Sequence, residues 1–371
     1  MSAPTAQAAP PRVLAVDGNS LGHRAYHSSR DESRMDDAGD DEVARTTGAI
    51  VSMLATAWRY GPYDALIIGF DSPDNRRKQA FPEYKAGRPP TPPALTTALE
   101  LARGHLDACG LTVVEHHGAE ADDVLAAVTD ACEARDWRCD LLSSDRDLTA
   151  LVGPLTRLLR PRSRFADLEV EDVAQVRKRY GIEPAQYVDL AALRGDPSDG
   201  LRGATGIGPK IAARLLRDHG SVPALYAMLH DLPPKVEASL REARERVERN
   251  LELMAPIPHL AVNVEEALAR GFDVERIEAV LDGLGVGAAA RRFTRAVTEP
   301  PPPLPPMPPP PDDEYASGEA HATAAADHRE PAVQAEPAGL GADGRRGERR
   351  PAPAAAVRDD VADRGEQTAL F

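Results

Sequence analysis

Apolar residues in this chain form short runs that alternate with longer segments of helical spacing. Four of the runs have the length and the composition of buried strands. They cover residues 13–16, 66–70, 111–114 and 141–144. Between the runs, apolar positions recur with helical spacing, as over 50–58 and 121–134. Because strands that alternate with helices pair in parallel and are covered on both faces, the pattern predicts an α/β fold with a parallel sheet.

The second half of the chain has helical patterns and then loses its periodicity. Residues 187–193 and 211–216 predict helices on either side of a glycine-rich segment. Prolines then dominate 300–311, which is typical of a polyproline II spacer that leads into a disordered tail. We therefore divide the chain into a disordered N-terminus, 1–11, an α/β domain, 12–180, a mainly helical subdomain, 181–298, and a proline-rich tail, 299–371.

The chain has 371 residues and a formal net charge of −15. Body and tail share this charge about equally, and the acidic balance argues at first against a nucleic-acid partner. No apolar run approaches the ~18 residues of a membrane span, and the N-terminus lacks the apolar segment of a secretory signal. Three cysteines fit neither a disulfide framework nor a zinc site. We expect a monomeric cytoplasmic protein with reduced core cysteines at Cys109, Cys132 and Cys139.

Carboxylates follow three of the predicted strands directly, at Asp17, Asp71 and Asp145. Ligands of a parallel sheet bind beyond the carboxyl ends of its strands. Six more acids lie in segments that the same edge would hold, namely Glu120, Asp122, Asp123, Asp147, Asp196 and Asp199. Singly, five of the six have ordinary explanations, because Glu120, Asp122 and Asp123 suit the first turn of a helix, and Asp196 and Asp199 suit turns and caps.

Together, nine carboxylates at one edge would repel one another strongly without a counter-charge. Oxygen ligands with no histidine or cysteine among them suit Mg²⁺ or Mn²⁺. Two such ions about 3.5–4 Å apart are the usual means of cleaving a phosphodiester. With these nine acids set aside, the body is close to neutral, so its remaining surface need not repel phosphate.

Two segments have features that suit DNA. Gly206 and Gly208, before Pro209 and Lys210, allow a tight hairpin whose amides approach a phosphate, although an ordinary turn is the alternative. With the helices around it, this predicts a helix-hairpin-helix, which grips the DNA backbone without recognising sequence. Residues 75–88 carry five basic side chains interleaved with aromatics, which can steer a strand and stack bases, for example on Tyr84 or Phe81. An exposed basic loop is the alternative there.

A third basic run contains Arg157, Arg160, Arg162 and Arg164. We interpret it as a solvated edge of the fold, with phosphate binding as the alternative role.

Five stretches in order resemble the 5′-nuclease family, which includes flap endonucleases, bacteriophage 5′-exonucleases and the N-terminal domain of bacterial DNA polymerase I. The resemblance covers about Arg12 to Phe293, and we expect a stand-alone form of the polymerase I type. The stretches are VLAVDGNSLGHRAYH, IIGFDSPDNRRKQAFPEYKAGRPPTP, GAEADDVLA, SSDRDLTALV and RYGIEPAQYVDLAALRGDPSDGLRGATGIGPKIAARLL. One departure is Gly200, where the family usually has asparagine after GDxSD. Another is the acidic stretch 30–42, which would lie near the DNA path.

The resemblance implies a role for each matching residue. Four acids would surround a first metal ion: Asp17, Asp71, Glu120 and Asp122. Four would surround a second, several through water: Asp145, Asp147, Asp196 and Asp199. Asp123 would be a further acid of the cluster. Lys85 and Arg77 would contact the scissile phosphate from a helical arch at about 74–95. Residues implied in DNA binding are Arg24, Tyr84, Arg88, Gly206, Gly208 and Lys210, and in the family the hairpin also holds a K⁺-like monovalent cation.

The last five residues, QTALF, resemble the Gln-x-x-Leu-Phe peptide with which bacterial replication proteins bind the sliding clamp. The matching positions are Gln367, Leu370 and Phe371, and a fortuitous terminus is the alternative.

We interpret the chain as a Mg²⁺- or Mn²⁺-dependent 5′-3′ exonuclease and flap endonuclease that acts on DNA ends and flaps in replication and repair. It would be cytoplasmic and associated with the nucleoid. Two alternatives remain at this point. The first is a non-catalytic DNA-binding protein with the same fold, and the second is a PIN-like ribonuclease, which would lack the GIGPK hairpin and the arch.

Overall fold

The computed structural model describes residues 9–29, 40–162 and 168–299, all within one compact unit, Met1–Gly318. A six-stranded sheet, in the order β3-β2-β1-β4-β5-β6, forms its centre. The strands are β1 (Arg12–Asp17), β2 (Ala65–Phe70), β3 (Thr112–Glu115), β4 (Arg138–Leu142), β5 (Thr156–Pro161) and β6 (Leu168–Glu171). A separate two-stranded ribbon pairs β7 (Gly195–Asp196) with β8 (Leu201–Arg202).

The four predicted strands are confirmed, and so is their parallel pairing, although β4 ends at Leu142 and not at Ser144. β1 pairs in parallel with both β2 and β4, and β2 pairs in parallel with β3. Two further strands extend the sheet, β5 parallel to β4 and β6 antiparallel to β5. The sheet is therefore mixed at one edge.

The interpretation of the third basic run as a solvated edge was wrong, because β5 includes part of it. Arg157 makes two hydrogen bonds to the buried Asp140, from Nε at 2.9 Å and from Nη2 at 2.6 Å. Arg160 is largely buried and pairs with Glu171 at 3.2 Å. Arg164 lies outside the described residues. These arginines neutralise buried acids and are not arranged as a phosphate surface.

Helices cover both faces of the sheet. Those of the first half are α1 (Gly18–Ser29), α2 (Asp40–Ala57), α3 (Arg76–Ala80), α4 (Pro93–Ala108) and α5 (Ala121–Glu133). Those of the second half are α6 (Val173–Tyr180), α7 (Tyr187–Arg194), α8 (Pro209–His219), α9 (Val222–Ala227), α10 (Pro234–Met254), α11 (Val264–Arg270), α12 (Val274–Gly283) and α13 (Gly287–Thr298). The acidic stretch 30–42 enters α2 at Asp40, and its residues 30–39 lie outside the described part.

Alternate residues of β1 point into two separate cores. Val13 and Ala15 pack with α5 and with α7, α8 and α10, whereas Leu14 and Val16 pack with α2, α4 and α13. The α/β fold class with a helical C-terminal part is thereby confirmed. The three cysteines are free and buried, as predicted. Among the described residues, no helix is both long and apolar enough to cross a membrane.

Candidate active site

The carboxyl ends of β1 and β4 lie side by side where the strand order reverses, since β2 and β3 lie beyond one of them and β5 beyond the other. Ligands of open α/β sheets bind in this crevice. Asp17 ends β1 there and is only 7% exposed. Its Oδ1 accepts a hydrogen bond from the Ser20 amide at 2.8 Å, and its Oδ2 accepts one from the Ser143 hydroxyl, just after β4, at 2.7 Å.

The acids at the ends of β1, β2 and β4 repel one another. Burial raises the pKa of Asp17 to about 7, and repulsion from Asp71 and Asp145 adds to that effect. Asp71 follows β2, and its Oδ1 accepts a hydrogen bond from the Ala121 amide at 2.8 Å. Burial, and then the charge of Glu120, raises the pKa of Asp71. Three neighbouring strand ends thus bring carboxylates together without a basic partner for Asp17.

A second set of acids lies beyond β4. Asp145 is exposed, and its Oδ1 accepts a hydrogen bond from the Asp147 amide at 2.9 Å. Burial raises the pKa of Asp147, and the charges of Asp145, Asp196 and Asp199 raise it further. Asp196 ends β7, Asp199 lies in the turn that leads to β8, and both are buried. The structure therefore brings this predicted set of four together.

Glu120 stands at the N-terminus of α5 and is surrounded by donors. Its Oε1 is 2.6 Å from Lys85 Nζ, and its Oε2 accepts hydrogen bonds from Arg77 at 3.0 Å and from the Tyr84 hydroxyl at 3.1 Å. Burial opposes its ionisation, but Lys85 and Arg77 outweigh burial and lower the pKa of Glu120.

Asp122 lies two residues further on and has a different environment. Its Oδ1 is buried without a hydrogen-bond partner, and the nearest Arg77 nitrogen is 3.9 Å away. Burial, and then the charge of Glu120, raises the pKa of Asp122 well above its ordinary value. An unsatisfied buried carboxylate oxygen is costly, and a cation would remove that cost.

These observations test whether the acids fit a metal. Among the described residues, no three acidic, histidine or cysteine side chains are grouped so that they could hold a metal ion as they stand. Lys85 and Arg77 form salt bridges with Glu120, and Arg88 forms one with Asp199. The oxygen-only ligands, the unsatisfied Asp122 oxygen and the raised pKa values nevertheless fit a hard divalent cation, which would replace these contacts.

Lys85 lies in a strained backbone conformation beside the acids. Its φ is 58°, in the left-handed region that non-glycine residues rarely adopt. Its amide donates to the Asp199 carbonyl at 2.9 Å, while its side chain holds Glu120. Strain of this kind persists where the surroundings impose it, and it is frequent at functional sites. Arg88, one turn on, donates to the Asp199 carboxylate and to the Ser198 carbonyl.

The prediction that bases stack on Tyr84 was wrong, because the structure buries its ring. Tyr84 is 4% exposed and packs against Leu201 and Leu253. Its hydroxyl is directed at Glu120. Phe81 is half-buried, with the guanidinium of Arg249 over its ring at 4.4 Å from the centroid.

Arg77 and Asp123 do not stand where their predicted roles require. Both are buried, and two hydrogen bonds of 2.7 Å join them. The Arg77 guanidinium also donates to the carbonyls of Leu253 and Ala255, at the end of α10. A guanidinium engaged in this way has no donor to spare for a phosphate, and Asp123 has no lone pair to spare for a metal.

The remaining predicted DNA contacts lie at the surface. Gly206 and Gly208 are exposed before α8, and nothing lies within 4 Å of where either Cβ would stand. Lys210 is exposed in the first turn of that helix, which begins at Pro209. Arg24, on α1, donates to the Arg162 carbonyl. The peptide at Gln367, Leu370 and Phe371 lies outside the described residues.

Sequence reasoning missed the polar side chains that orient Asp17 and Asp71. Ser143 donates to Asp17, and the Asn19 side chain accepts from the Asp71 amide at 2.9 Å. Ser20 accepts from the Ser144 amide at 3.1 Å and so joins α1 to the end of β4. The signal was present, because small polar residues directly follow or end both strands in DGNS and LLSSD.

Comparison with known families matches two family models to the chain. Residues 12–181 match the model described as 5′-3′ exonuclease, N-terminal resolvase-like domain. Residues 182–274 match the one described as 5′-3′ exonuclease, C-terminal SAM fold. The chain belongs to the 5′-3′ exonuclease family. The predicted domain boundaries stay predictions.

DNA polymerases are among the similar curated proteins. DNA polymerase I of Mycobacterium tuberculosis is 33% identical over 290 residues, which are 76% of this chain and 31% of that protein. The thermostable DNA polymerase I of Thermus aquaticus is 32% identical over 283 residues, which are 76% of this chain and 33% of that protein. The chain therefore spans about a third of the length of these relatives.

Solved structures share the fold of this family member. T5 5′-exonuclease with bound divalent zinc ions superposes with a TM-score of 0.54 at 21% identity, over 78% of this chain and 98% of that one. A T5 flap endonuclease in a pseudo-enzyme–product complex with DNA and metal ions gives a TM-score of 0.52 at 22% identity, over 76% of this chain and 99% of that one. These likenesses support the fold.

Proposed function

We propose that this chain is a divalent-metal-dependent 5′-nuclease that hydrolyses DNA phosphodiesters at 5′ ends and flaps, in replication and repair. The observation that carries the proposal is the convergence of mutually repelling carboxylates at the edge of the sheet, beside the strained Lys85. Family membership and the metal-bearing and DNA-bearing T5 structures of the same fold support it. We further propose that the protein acts as a cytoplasmic, nucleoid-associated monomer.

Two groups of acids would hold the ions, with Mg²⁺ or Mn²⁺ as the cation. Asp17, Asp71, Glu120 and Asp122 form one group. Asp145, Asp147, Asp196 and Asp199 form the other. When bound, the cations would lower the pKa of an attacking water and stabilise the departing oxygen. The carboxylates of this chain would hold the reacting phosphate in place through them, and their charge would then no longer repel the DNA.

Lys85 would act on the scissile phosphate directly. Its ammonium pairs with Glu120, and its side chain is 16% exposed. Movement of that ammonium from Glu120 to a phosphate oxygen would exchange one ion pair for another at little cost. Positive charge placed where negative charge develops stabilises the transition state more than the ground state.

The hairpin before α8 would bind the DNA backbone. Nothing lies within 4 Å of where a Cβ would stand at Gly206 or Gly208. A phosphate can therefore approach the backbone amides of this hairpin closely. Lys210 adds a positive charge at the same helix end. We propose that a K⁺ ion also binds at this hairpin. Contacts of this kind carry no sequence information, which suits a nuclease that recognises the structure of its substrate.

The test uses the full chain with three 5′-labelled DNAs: a flap, a nicked duplex and a single strand. Each is incubated with Mg²⁺, with Mn²⁺, or with a chelator. We expect cleavage of the flap and release of nucleotides from the nick with either metal, and none with chelator. Tight binding of the flap without any cleavage would favour a non-catalytic DNA-binding protein. Cleavage of the matched RNA strand alone would favour a PIN-like ribonuclease.

We also propose that the terminal QTALF peptide tethers the nuclease to a sliding clamp. A twelve-residue proline-rich spacer would span about 37 Å, and the following coil would add roughly 40–45 Å. Such a reach lets the nuclease find a flap while its peptide stays docked on the same DNA, so that effective concentration raises occupancy.

Deletion of Gln367–Phe371 tests the tether. The shortened chain should cut free flaps at the full-length rate but lose binding to the clamp, and a free QTALF peptide should compete with the full chain. Equal clamp binding by the shortened chain would contradict the proposal.

A further inference from the structure

The hydrogen bonds of Arg77 account for all of its donors. A guanidinium has five N–H groups. Nε donates to the Leu253 carbonyl at 2.7 Å, and Nη2 donates to the Ala255 carbonyl at 3.0 Å. Nη1 donates to Glu120 at 3.0 Å, and each Nη donates to a different oxygen of Asp123 at 2.7 Å. Arg77 is therefore bound by Glu120, by Asp123 and by the end of α10 at the same time.

Asp123 is saturated in the same way. It is 0% exposed, and its two oxygens offer about four acceptor positions. Arg77 takes two of them in a bidentate pair. The Ile257 amide takes a third at 2.8 Å, and the Glu120 amide takes the fourth at 2.9 Å. A metal ion could bind Asp123 only after these bonds were broken.

The pair joins three parts of the molecule that are distant in sequence. Arg77 lies on α3, at the base of the segment that carries Lys85. Asp123 lies in the first turn of α5, next to Glu120. Leu253, Ala255 and Ile257 lie at and after the end of α10. The helix that ends there also packs on α7, which leads into the turn with Asp196 and Asp199.

We propose that Arg77 and Asp123 form a latch that positions Glu120 and fixes the end of α10 against the nuclease site. Neither residue then touches the substrate or a metal ion. The latch instead sets where the Glu120 carboxylate stands, and it couples that position to the helical part of the chain that would bind DNA. This inference rests on the proposed nuclease function and assigns different roles to two residues within it.

The geometry favours a latch over direct catalysis. To reach a phosphate, Arg77 would have to abandon the buried carboxylate of Asp123 and the carbonyls of Leu253 and Ala255, and the buried Asp123 would be left without its counter-charge. Lys85, in contrast, holds one acid with one ammonium and is partly exposed. The Lys85 ammonium can therefore leave its partner for a phosphate more easily than the Arg77 guanidinium can.

The experiment compares Arg77→Lys and Asp123→Asn with Arg157→Lys. Lysine keeps the charge but loses the planar fork, so it cannot hold both Asp123 oxygens and the α10 carbonyls. Arg157 makes the same two-bond contact with Asp140 in the middle of β4, away from the strand ends, and serves as the matched control. Two quantities are measured: the Mg²⁺ dependence of single-turnover flap cleavage, and hydrogen exchange at the Ile257 amide.

Loss of an orienting partner typically weakens a metal site tenfold or more. We therefore expect Arg77→Lys and Asp123→Asn to raise the half-saturating Mg²⁺ concentration about tenfold, with much of the rate recovered at high Mg²⁺. Both should speed exchange at Ile257, whereas Arg157→Lys should change neither quantity. Their double variant should be no worse than the poorer single one, since both break one unit.

Two results would overturn the latch. One is an unchanged Mg²⁺ requirement with a lower saturating rate in Arg77→Lys, which would indicate that Arg77 contacts the scissile phosphate. The other is unchanged protection of Ile257, which is measured without activity. If the wild-type chain cleaves nothing, the proposed function fails, but the exchange result still decides whether the latch exists.

Discussion

The two sides of the candidate site treat their acids in opposite ways. On the α5 side, Glu120 is held by Arg77, Lys85 and Tyr84, and its pKa is lowered. On the strand side, the Asp17 carboxylate accepts hydrogen bonds from a serine hydroxyl and an amide, and its pKa is raised to about 7 by burial and then by neighbouring acids. Glu120 thus has basic partners, whereas Asp17 pairs with no basic side chain among the described residues.

The difference suggests separate roles, with the α5 side positioning a carboxylate in advance and the strand side binding a metal ion. Basic partners on the α5 side hold Glu120 in position before substrate arrives. Acids on the strand side remain costly until a cation arrives, so part of the affinity for a metal would come from relief of repulsion. We expect substitutions on the strand side to abolish activity and those on the α5 side to weaken it.

The largest effect should come from Asp145→Ala on the strand side. Loss of a carboxylate from the second metal group should reduce flap cleavage at saturating Mg²⁺ by at least about 10³-fold, since metal stabilisation is worth several kcal/mol. Flap affinity should be retained, because one fewer carboxylate repels phosphate less. The measurements are single-turnover rates and flap binding. A variant that cleaves at the wild-type rate would refute the proposed mechanism.

Lys85→Ala should have the next largest effect. Removal of one charge aimed at a reacting oxygen costs about 10²–10³-fold in rate. Flap affinity should change far less, because the interaction is realised mainly in the transition state. The comparison uses single-turnover rate against flap affinity, with Lys210→Ala as the contrast, where affinity should fall and the saturating rate should not. Equal losses of rate and affinity in Lys85→Ala would make it a simple anchor.

The sequence was sufficient for the strands that carry the acids and for the family. Strand ends such as Asp17 and Asp71 follow from apolar runs followed directly by an acid, and parallel pairing then places them at one edge. The edge strands β5 and β6 were missed because their arginines and glutamates look like surface residues. Burial of Arg160 against Glu171 comes from tertiary pairing, which no local pattern records.

Roles within the basic segment 75–88 could not be separated by sequence. Arg77 and Lys85 have the same charge and similar neighbours along the chain, yet the guanidinium of Arg77 is bound by the end of α10, whereas the ammonium of Lys85 pairs with Glu120. The deciding contacts come from residues about 176 positions away. Tyr84 is a similar case, since an aromatic among basic residues suits stacking until its ring is seen in the core.

A smaller effect should appear in the pH dependence of stability. The folded-state pKa of Asp17 is about 7, above its ordinary 3.8. Its contribution is therefore fully present below about pH 4 and is lost as pH rises through about 7. Glu120, with a lowered pKa, contributes stability above its ordinary pKa, and that contribution is lost as pH falls.

The substitution Asp17→Asn removes the pH-dependent contribution of Asp17 to stability. In metal-free protein near pH 8, we expect this variant to unfold several degrees above wild type, because the penalty is on the order of a few kcal/mol. At about pH 4 and below, the two should unfold at similar temperatures. Mg²⁺ or Mn²⁺ should raise the wild-type midpoint more at the higher pH, and near pH 8 it should raise the midpoint of the variant less than that of wild type. Thermal denaturation with and without chelator measures this, and a wild type that is the more stable one near pH 8 would contradict it.

The smallest effect concerns Gly200, where the family usually has asparagine. Its φ is 74°, so the turn that carries Asp199 needs a left-handed residue. Asparagine adopts this conformation more readily than other residues. A Cβ would stand 3.1 Å from the Glu83 carbonyl, a close contact that a small shift can relieve.

Gly200→Asn should therefore change the free energy of unfolding by less than about 1 kcal/mol and leave flap cleavage at the wild-type rate. Gly200→Val is the contrast, because a β-branched residue in the left-handed region adds roughly 1–2 kcal/mol of strain. That strain would shift Asp199 away from Arg88 and from the Lys85 amide. Chemical denaturation and cleavage rates of the two variants measure the difference. If asparagine is as damaging as valine, the close approach to Glu83, and not the left-handed turn, is what requires glycine here.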